Sequence, residues 1–230
     1  MKKLFFILLL SGQLMAQSPV TITGLYKSCL VKKSEYGWDV SRNAGEGSAN
    51  IANSEYGTIR VDRYIYSYII LYRVGLIFDV TTVPYGSVID SVFLKLYVTN
   101  SEAYDDLGLV VYDAYTIKCE ADYLTDYSHV VGVVTGTNTP NFQIMDYKES
   151  ISTGYQTFKL SGLRMSLWYG NNYVCYGLGS YHWDYLDHQP LGINNNITIN
   201  LFTVTDKPEL KIYYHSQTST PKKIKIITIF

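Results

Sequence analysis

Apolar and polar residues alternate along much of the chain, and a two-residue period of this kind predicts half-buried β-strands. The clearest segment is 88–99, where every second side chain is aliphatic and the intervening ones are mostly polar or aromatic. We expect the aliphatic side chains to form core, and they are Val92, Leu94, Leu96 and Val98.

Eight other segments combine β-branched and aromatic residues and are bounded by Gly, Asn, Asp or Pro. Beyond residue 16 no run of ten residues repeats apolar positions with helical spacing, so we expect little helix apart from one turn at 163–169. The pattern predicts an all-β antiparallel sandwich with loops that include 43–53 and 184–196. The eight segments are 22–26, 57–61, 73–79, 108–113, 155–160, 173–180, 196–204 and 209–214.

The N-terminus has the three parts of a secretory signal peptide: Lys2 and Lys3, an apolar run at 4–10, and a polar stretch that ends at Ala16. The apolar run is far shorter than the roughly 20 residues that a membrane-spanning helix needs. We therefore expect cleavage after residue 16 (1–16 being the leader), no membrane span, and a secreted protein outside the cell or on its surface. The remainder suits one domain at 17–215, followed by a linker and an apolar, basic tail at 216–230.

Charge and composition narrow the set of partners. The chain has 19 basic and 20 acidic residues, and the basic ones are scattered except for Lys222, Lys223 and Lys225. Nucleic-acid binding needs a concentrated basic surface, so we expect none. Tyrosine is unusually frequent, at 23 of 230 residues. Its ring with a polar tip suits the half-exposed face of a sheet and also suits contact with sugars or proteins.

The chain has three cysteines, Cys29, Cys119 and Cys175, an odd number for a protein that enters an oxidising compartment. At most one intramolecular disulfide can form, and the pairing stays open. The spacing matches neither a zinc site nor a redox pair. We expect the cysteines to act mainly as small buried apolar residues.

A longer motif carries a family resemblance. Residues 72–84 have the sequence Tyr-Arg-Val-Gly-Leu-Ile-Phe-Asp-Val-Thr-Thr-Val-Pro, and 86–98 continue as Gly-Ser-Val-Ile-Asp-Ser-Val-Phe-Leu-Lys-Leu-Tyr-Val. The strand that ends in Phe-Asp, the loop with Pro and Gly, and the strand that follows resemble the DNRLRE-type jelly-roll modules of secreted or virion-associated proteins. Matching stretches extend the resemblance at 121–123, 155–163, 176–178 and 206–214.

The resemblance implies a jelly-roll β-sandwich of two antiparallel sheets. It also implies a carbohydrate-binding function, because some of these modules bind polysaccharides such as alginate. The motif has a structural explanation of its own: Phe78 should fill space between sheets, and Asp79 should accept hydrogen bonds from the backbone of the next turn. We therefore expect the motif to specify fold, not chemistry.

Catalytic and metal-binding patterns are weak. The chain contains no Gly-x-Ser-x-Gly nucleophile motif, and His182 and His188 lack the usual spacing of zinc ligands. We expect no enzymatic activity and no cofactor. The alternative is a structural calcium ion held by Asp105, Asp106 or Asp184 with backbone carbonyls.

Sugar-binding chemistry is better represented, because an aromatic ring can stack on the C–H face of a sugar while nearby amides and carboxylates fix its orientation. If the alternation of 173–180 continues, Tyr181, Trp183 and Tyr185 face outward beside a polar loop. We predict the ligand site there. The predicted ligand-binding residues are Trp183, Tyr185, Asp184, Asp187, His188 and Tyr181, and less sharply placed aromatic candidates are Trp38, Trp168, Tyr169 and Tyr173.

Two functions are compatible with these features. One is a secreted, non-catalytic carbohydrate-binding module for an extracellular polysaccharide. The other is a structural or adhesive domain of a cell-surface or phage-fibre assembly, with a surface protein as partner; the leader favours a bacterial envelope. The tail is too apolar to stay in water, so we expect it to add a strand to a sheet edge, either of its own subunit or of a neighbouring one. Addition to a neighbouring subunit would give a homo-oligomer. The apolar residues of the tail are Ile224, Ile226, Ile229 and Phe230.

Overall fold

The computed structural model describes most of the predicted domain and shows an all-β protein. The leader, most of the tail, and the candidates Asp105, Asp106, Trp168 and Tyr169 lie outside the described residues, as does the predicted turn at 163–169. No helix in the described part of the chain is long and apolar enough to cross a membrane. The described residues are 18–64, 66, 68–102, 108–114, 117–121, 123–131, 144–160, 172–190 and 195–216.

The described elements are mainly strands, with two short α-helices and one π-helix at Tyr181–Tyr185. The helices are α1 (Trp38–Arg42) and α2 (Asp126–His129). The strands are β1 (Ser18–Thr23), β2 (Lys27–Tyr36), β3 (Ala49–Ala52), β4 (Tyr56–Arg63), β5 (Tyr68–Asp79), β6 (Ser87–Glu102), β7 (Leu109–Asp113), β8 (Ile144–Lys148), β9 (Gly154–Leu160), β10 (Tyr173–Ser180), β11 (Asn195–Asn200) and β12 (Glu209–Ser216).

Hydrogen bonds join the described strands into one antiparallel sheet that curls into a half-barrel. The main path is β1-β12-β6-β11-β4-β5-β10-β7-β8, while β9 pairs with β6, β2 with β5, and β3 with β2. Two strands change neighbours along their length: β5 passes from β4 to β10, and β6 from β12 to β11. A hydrogen bond of 2.7 Å from the Lys159 amide to the Asp146 carboxylate also links β9 to β8.

The nine strands predicted from the alternation are present, with shifted ends, and three further strands were not predicted: β2, β3 and β8. β2 was not predicted, because its second half carries polar residues such as Lys33 and Glu35 and does not alternate. Only its first half is well buried. β3 lies within the stretch predicted to be a loop, 43–53. β11 ends at Asn200, four residues earlier than predicted.

The predicted core residues of β6 are fully buried, which confirms which side of that strand faces the core. Phe78 is fully buried as predicted, and its ring meets that of Tyr176 at 6.3 Å. Asp79 accepts hydrogen bonds from the Thr81 hydroxyl at 2.7 Å and the Thr81 amide at 2.9 Å. These two hydrogen bonds, chiefly the one from the hydroxyl, lower the pKa of Asp79. The burial of Phe78 and the hydrogen bonding of Asp79 to the next turn are therefore confirmed.

The sheet around β5 and β10 is covered on the face that carries Gly75 and Gly177. A Cβ at Gly75 would meet the sulfurs of Cys29 and Cys119, and one at Gly177 would collide with the backbone of Val130. Cys29 and Cys119 form a disulfide that ties β2 to the segment before α2. The one disulfide that the sequence allows is therefore Cys29–Cys119, both of its cysteines are buried, and Cys175 is free. Burial raises the pKa of the Cys175 thiol to about 12.

We predict that Gly177→Ala destabilises the protein by about 3 kcal/mol or more, because the Val130 carbonyl is backbone and has no free rotamer to move into. Gly45→Ala is the matched control, since a Cβ there meets nothing within 4 Å. The control should change stability by less than about 0.5 kcal/mol. Chemical denaturation measures both; equal stability of the two variants would show that residues 123–131 do not pack on β10.

Candidate functional site

The predicted ligand residues lie where β10 ends and a π-helix begins. The Leu186 amide donates to the Tyr181 carbonyl at 3.0 Å, which closes the wide turn of the π-helix. The Ser180 hydroxyl accepts from the Trp183 amide at 3.3 Å and so caps the first turn. A π-helical turn replaces the two-residue period of a strand, so the facing predicted from β10 does not continue past Ser180.

The predicted outward facing of Trp183 and Tyr181 is wrong. Trp183 is 1% exposed and Tyr181 8%, whereas Tyr185 is 37% exposed. Trp183 belongs to the core cluster, because the π-helix turns it and Asp184 inward together. Of the other aromatic candidates, Trp38 is buried, while Tyr173 is exposed and stacks on Tyr26 with ring centroids 4.4 Å apart.

Asp184 was predicted to be a solvent-exposed polar partner for a ligand, and this is also wrong. Its carboxylate is fully buried and pairs with the fully buried guanidinium of Arg73 on β5. One carboxylate oxygen, Oδ1, accepts from Arg73 Nη2 at 2.7 Å and from Nε at 3.0 Å. The other, Oδ2, accepts from the Ser180 amide at 3.2 Å. The carboxylate is thus engaged by protein groups and closed to a ligand.

Both terminal nitrogens of Arg73 also donate to backbone carbonyls of the two short α-helices that cover this face of the sheet. Nη2 donates to the Arg42 carbonyl at 2.7 Å and Nη1 to the Tyr127 carbonyl at 3.0 Å. The guanidinium lies over the Tyr127 ring, 4.2 Å from its centroid. Burial acts to lower the pKa of Arg73, but the adjacent Asp184 carboxylate leaves it above its ordinary value. A buried charge of this kind is tolerated only with a counter-charge and hydrogen-bond partners such as these.

A row of tyrosine rings lies on the solvent side of the π-helix. Tyr181 stacks on Tyr147 of β8 with centroids 4.5 Å apart and planes 6° apart, and the Tyr185 ring lies 5.6 Å from that of Tyr181. Tyr147 and Tyr185 are exposed, whereas Tyr181 is buried. Burial, together with the nearby Tyr147 phenol, raises the pKa of Tyr181.

Polar groups border this row. The His182 ring lies 6.4 Å from that of His188, and His182 Nε2 lies 2.9 Å from the Glu149 carbonyl oxygen. Asp187, which has a left-handed φ of 60°, accepts from Trp38 Nε1 at 2.8 Å and lies 3.4 Å from Arg42 Nε. Its side chain remains half exposed. We call the exposed and partly exposed set the tyrosine–histidine patch, and it comprises Tyr147, His182, Tyr185, Asp187 and His188.

The described residues contain one group of three potential metal ligands with donor atoms within 4.8 Å of one another: Cys29, Cys119 and Asp126. The two sulfurs are joined in the disulfide, and Asp126 accepts from the amides of Lys118 and Cys119. This group therefore fits a structural role. Asp184, one of the residues suggested for calcium, is neutralised by Arg73 and does not fit a calcium site.

Sequence reasoning missed Arg73 and Tyr147, and it named Trp38 only as a possible stacking ring, without its hydrogen bond to Asp187. Arg73 is the one charged residue between Tyr68 and Phe78 in an otherwise apolar and aromatic strand, which signals a buried partner of opposite charge. Trp38 and Tyr147 gave no such signal, because their contacts with Asp187 and Tyr181 join residues far apart in the sequence.

A scan against protein-family models and a search of the curated proteins found no match to this chain.

We predict that Asp184→Asn destabilises the protein by about 3–5 kcal/mol, because it leaves the buried Arg73 charge without its counter-charge. Arg73→Met should cost a similar amount, and the double variant should cost less than the sum, since each exchange removes the same interaction. Thermal and denaturant unfolding measure these effects.

The control is Glu209→Gln, which removes the partner of Lys95 in an ion pair whose side chains are both about one third exposed. It should cost less than about 1 kcal/mol. An Asp184→Asn variant as stable as this control would contradict the structural role of the buried pair.

Proposed function

We propose that the chain is a secreted, non-catalytic module that binds an extracellular polysaccharide. The observation that carries the proposal is the tyrosine–histidine patch, where two exposed tyrosine rings lie close to a third, buried one and polar side chains lie beside them. The centre of the site moves from Trp183 to Tyr185 and Tyr147, because Trp183 is part of the core.

The patch offers both parts of sugar recognition. The rings of Tyr147 and Tyr185 present apolar surface for the C–H face of a pyranose, and stacking of this kind removes apolar area from water. Asp187, His182 and His188 provide acceptors and donors at the border. The Trp38 indole holds the Asp187 carboxylate in place at 2.8 Å, so part of the polar border is ordered before a ligand arrives.

We infer that the curled sheet is a jelly-roll sandwich of two layers, with β5 and β6 as the strands that turn the corners. Support comes from the way each of these strands exchanges one neighbour for another along its length. The family resemblance stated above also favours this arrangement.

Two further features support the secreted and non-catalytic parts of the proposal. The Cys29–Cys119 disulfide is of a kind that persists in oxidising compartments outside the cytoplasm. The buried carboxylates Asp184 and Asp126 are engaged by Arg73 and by backbone amides, so their contacts serve structure. The tail at 217–230, with its apolar residues Ile224 to Phe230, stays a predicted site of strand addition and self-association.

We predict that Tyr185→Ala and Tyr147→Ala each lower polysaccharide affinity by about five- to tenfold, because each removes a stacking surface worth about 1 kcal/mol. Binding is measured on an array of bacterial, algal and plant polysaccharides that includes alginate. The matched control is Tyr56→Ala, since Tyr56 is 43% exposed against 44% for Tyr147 and lies four strands away on β4. The control should bind like the unaltered protein.

Trp183→Ala should instead lower stability by about 3–5 kcal/mol, because it opens a cavity in the core. If no polysaccharide on the array binds and light scattering shows ordered oligomers, the result would contradict carbohydrate binding and favour the structural or adhesive alternative. Binding that survives both tyrosine exchanges would exclude the patch as the site.

A further inference from the structure

A second aromatic surface lies on the solvent-facing side of β9, β6 and β12. Alternation along β6 buries Val92, Leu94 and Leu96 and leaves Phe93, Lys95 and Tyr97 partly exposed on the other side. The same alternation on β9 and β12 exposes Tyr155, Lys159 and Lys211 and leaves Tyr213 partly exposed. We call this surface the β6 platform, and its members are Phe93, Tyr97, Tyr155, Lys159, Lys211 and Tyr213.

The platform has two aromatic pairs. Tyr97 lies directly opposite Tyr155 on β9, and their ring centroids are 5.0 Å apart. Phe93 lies 5.9 Å from the ring of Tyr213 on β12. Tyr97 and Phe93 are four residues apart on one strand, so the pairs are separated by roughly 13 Å along β6. The Tyr155 hydroxyl donates to Asp206, which fixes that ring in place.

Lysines occupy the same face. Phe93 has Lys159 opposite it on one neighbouring strand and Lys211 on the other. Lys95, between the two aromatic pairs, is paired with Glu209 at 3.4 Å and lies over the Tyr155 ring at 3.9 Å. Among the described residues no carboxylate lies within ion-pair distance of Lys159 or Lys211, so neither ammonium group has a counter-ion there, although that of Lys211 lies over the Tyr213 ring, 5.0 Å from its centroid.

We propose that the β6 platform is a second glycan-binding surface, which takes an extended anionic polysaccharide lying along β6. Two ring pairs separated along one strand fit a polysaccharide that is bound at two points along its length. A single terminal sugar cannot reach both. The unpaired lysines fit carboxylate or sulfate groups on that chain. The inference rests on the proposed function, because both take a polysaccharide as ligand.

The test uses the full mature chain with alginate and polygalacturonate as carboxylated probes and dextran sulfate as the sulfated probe. Dextran is the uncharged control for dextran sulfate. We expect binding to at least one anionic probe, falling with added salt, and no comparable binding to dextran. Oligomers long enough to span both ring pairs should bind at least about tenfold more tightly than dimers of the same sugar.

Lys159→Gln combined with Lys211→Gln should lower anionic affinity by about fivefold and weaken its salt dependence, because two surface charges are lost. Lys27→Gln combined with Lys118→Gln is the control, because it removes the same net charge from residues on β2 and on the segment before α2. Phe93→Leu should lower affinity for long oligomers while leaving that for dimers unchanged. Melting curves check that each variant is folded.

The outcomes separate this inference from the proposed function. Polysaccharide binding that is lost in Tyr185→Ala but unchanged in the platform variants would overturn the second surface and leave the proposed function standing. Equal binding of dextran and dextran sulfate would overturn the anionic ligand. No binding to any of these four probes would overturn the second surface, whereas the proposed function is decided by the wider array. A change of oligomeric state in Phe93→Leu would overturn the polysaccharide as occupant and identify a second copy of the chain in its place.

Discussion

The buried ion pair between Arg73 and Asp184 is the constraint on which the covered side of the sheet depends. A guanidinium placed in the middle of β5 must find a counter-charge and acceptors for its remaining donors, or its burial costs several kcal/mol. It finds them in Asp184 and in the carbonyls of Arg42 and Tyr127. One side chain thereby fixes the π-helix, α1 and α2 against the sheet.

The candidate site follows from that constraint. Asp184 is drawn inward, and the π-helix turns Trp183 inward with it, so Tyr185 and the row beside it face solvent. Gly179 is part of the same arrangement, since a Cβ there would lie 2.8 Å from an Asp184 carboxylate oxygen. The binding surface we propose is therefore the outer side of a segment whose inner side is occupied by the ion pair.

Alternation predicted nine of the twelve described strands and the buried side of β6, because a two-residue period reports directly which side chains leave water. It failed at Trp183, because strand periodicity carries no information about where hydrogen bonding switches from a sheet to a π-helix. It could not pair Arg73 with Asp184, which lie 111 positions apart, although a lone arginine in an apolar strand was itself a signal. Long-range partners of this kind are chosen by the fold.

The most direct measurement of the central claim is the NMR signal of the Arg73 Nε–Hε group. The account predicts a distinct signal that exchanges slowly with water, because Nε donates to Asp184 at 3.0 Å and no solvent reaches it. In Asp184→Asn that protection should fall sharply. An Arg73 Hε that exchanges as fast as that of the partly exposed Arg63 in the unaltered protein would contradict the account.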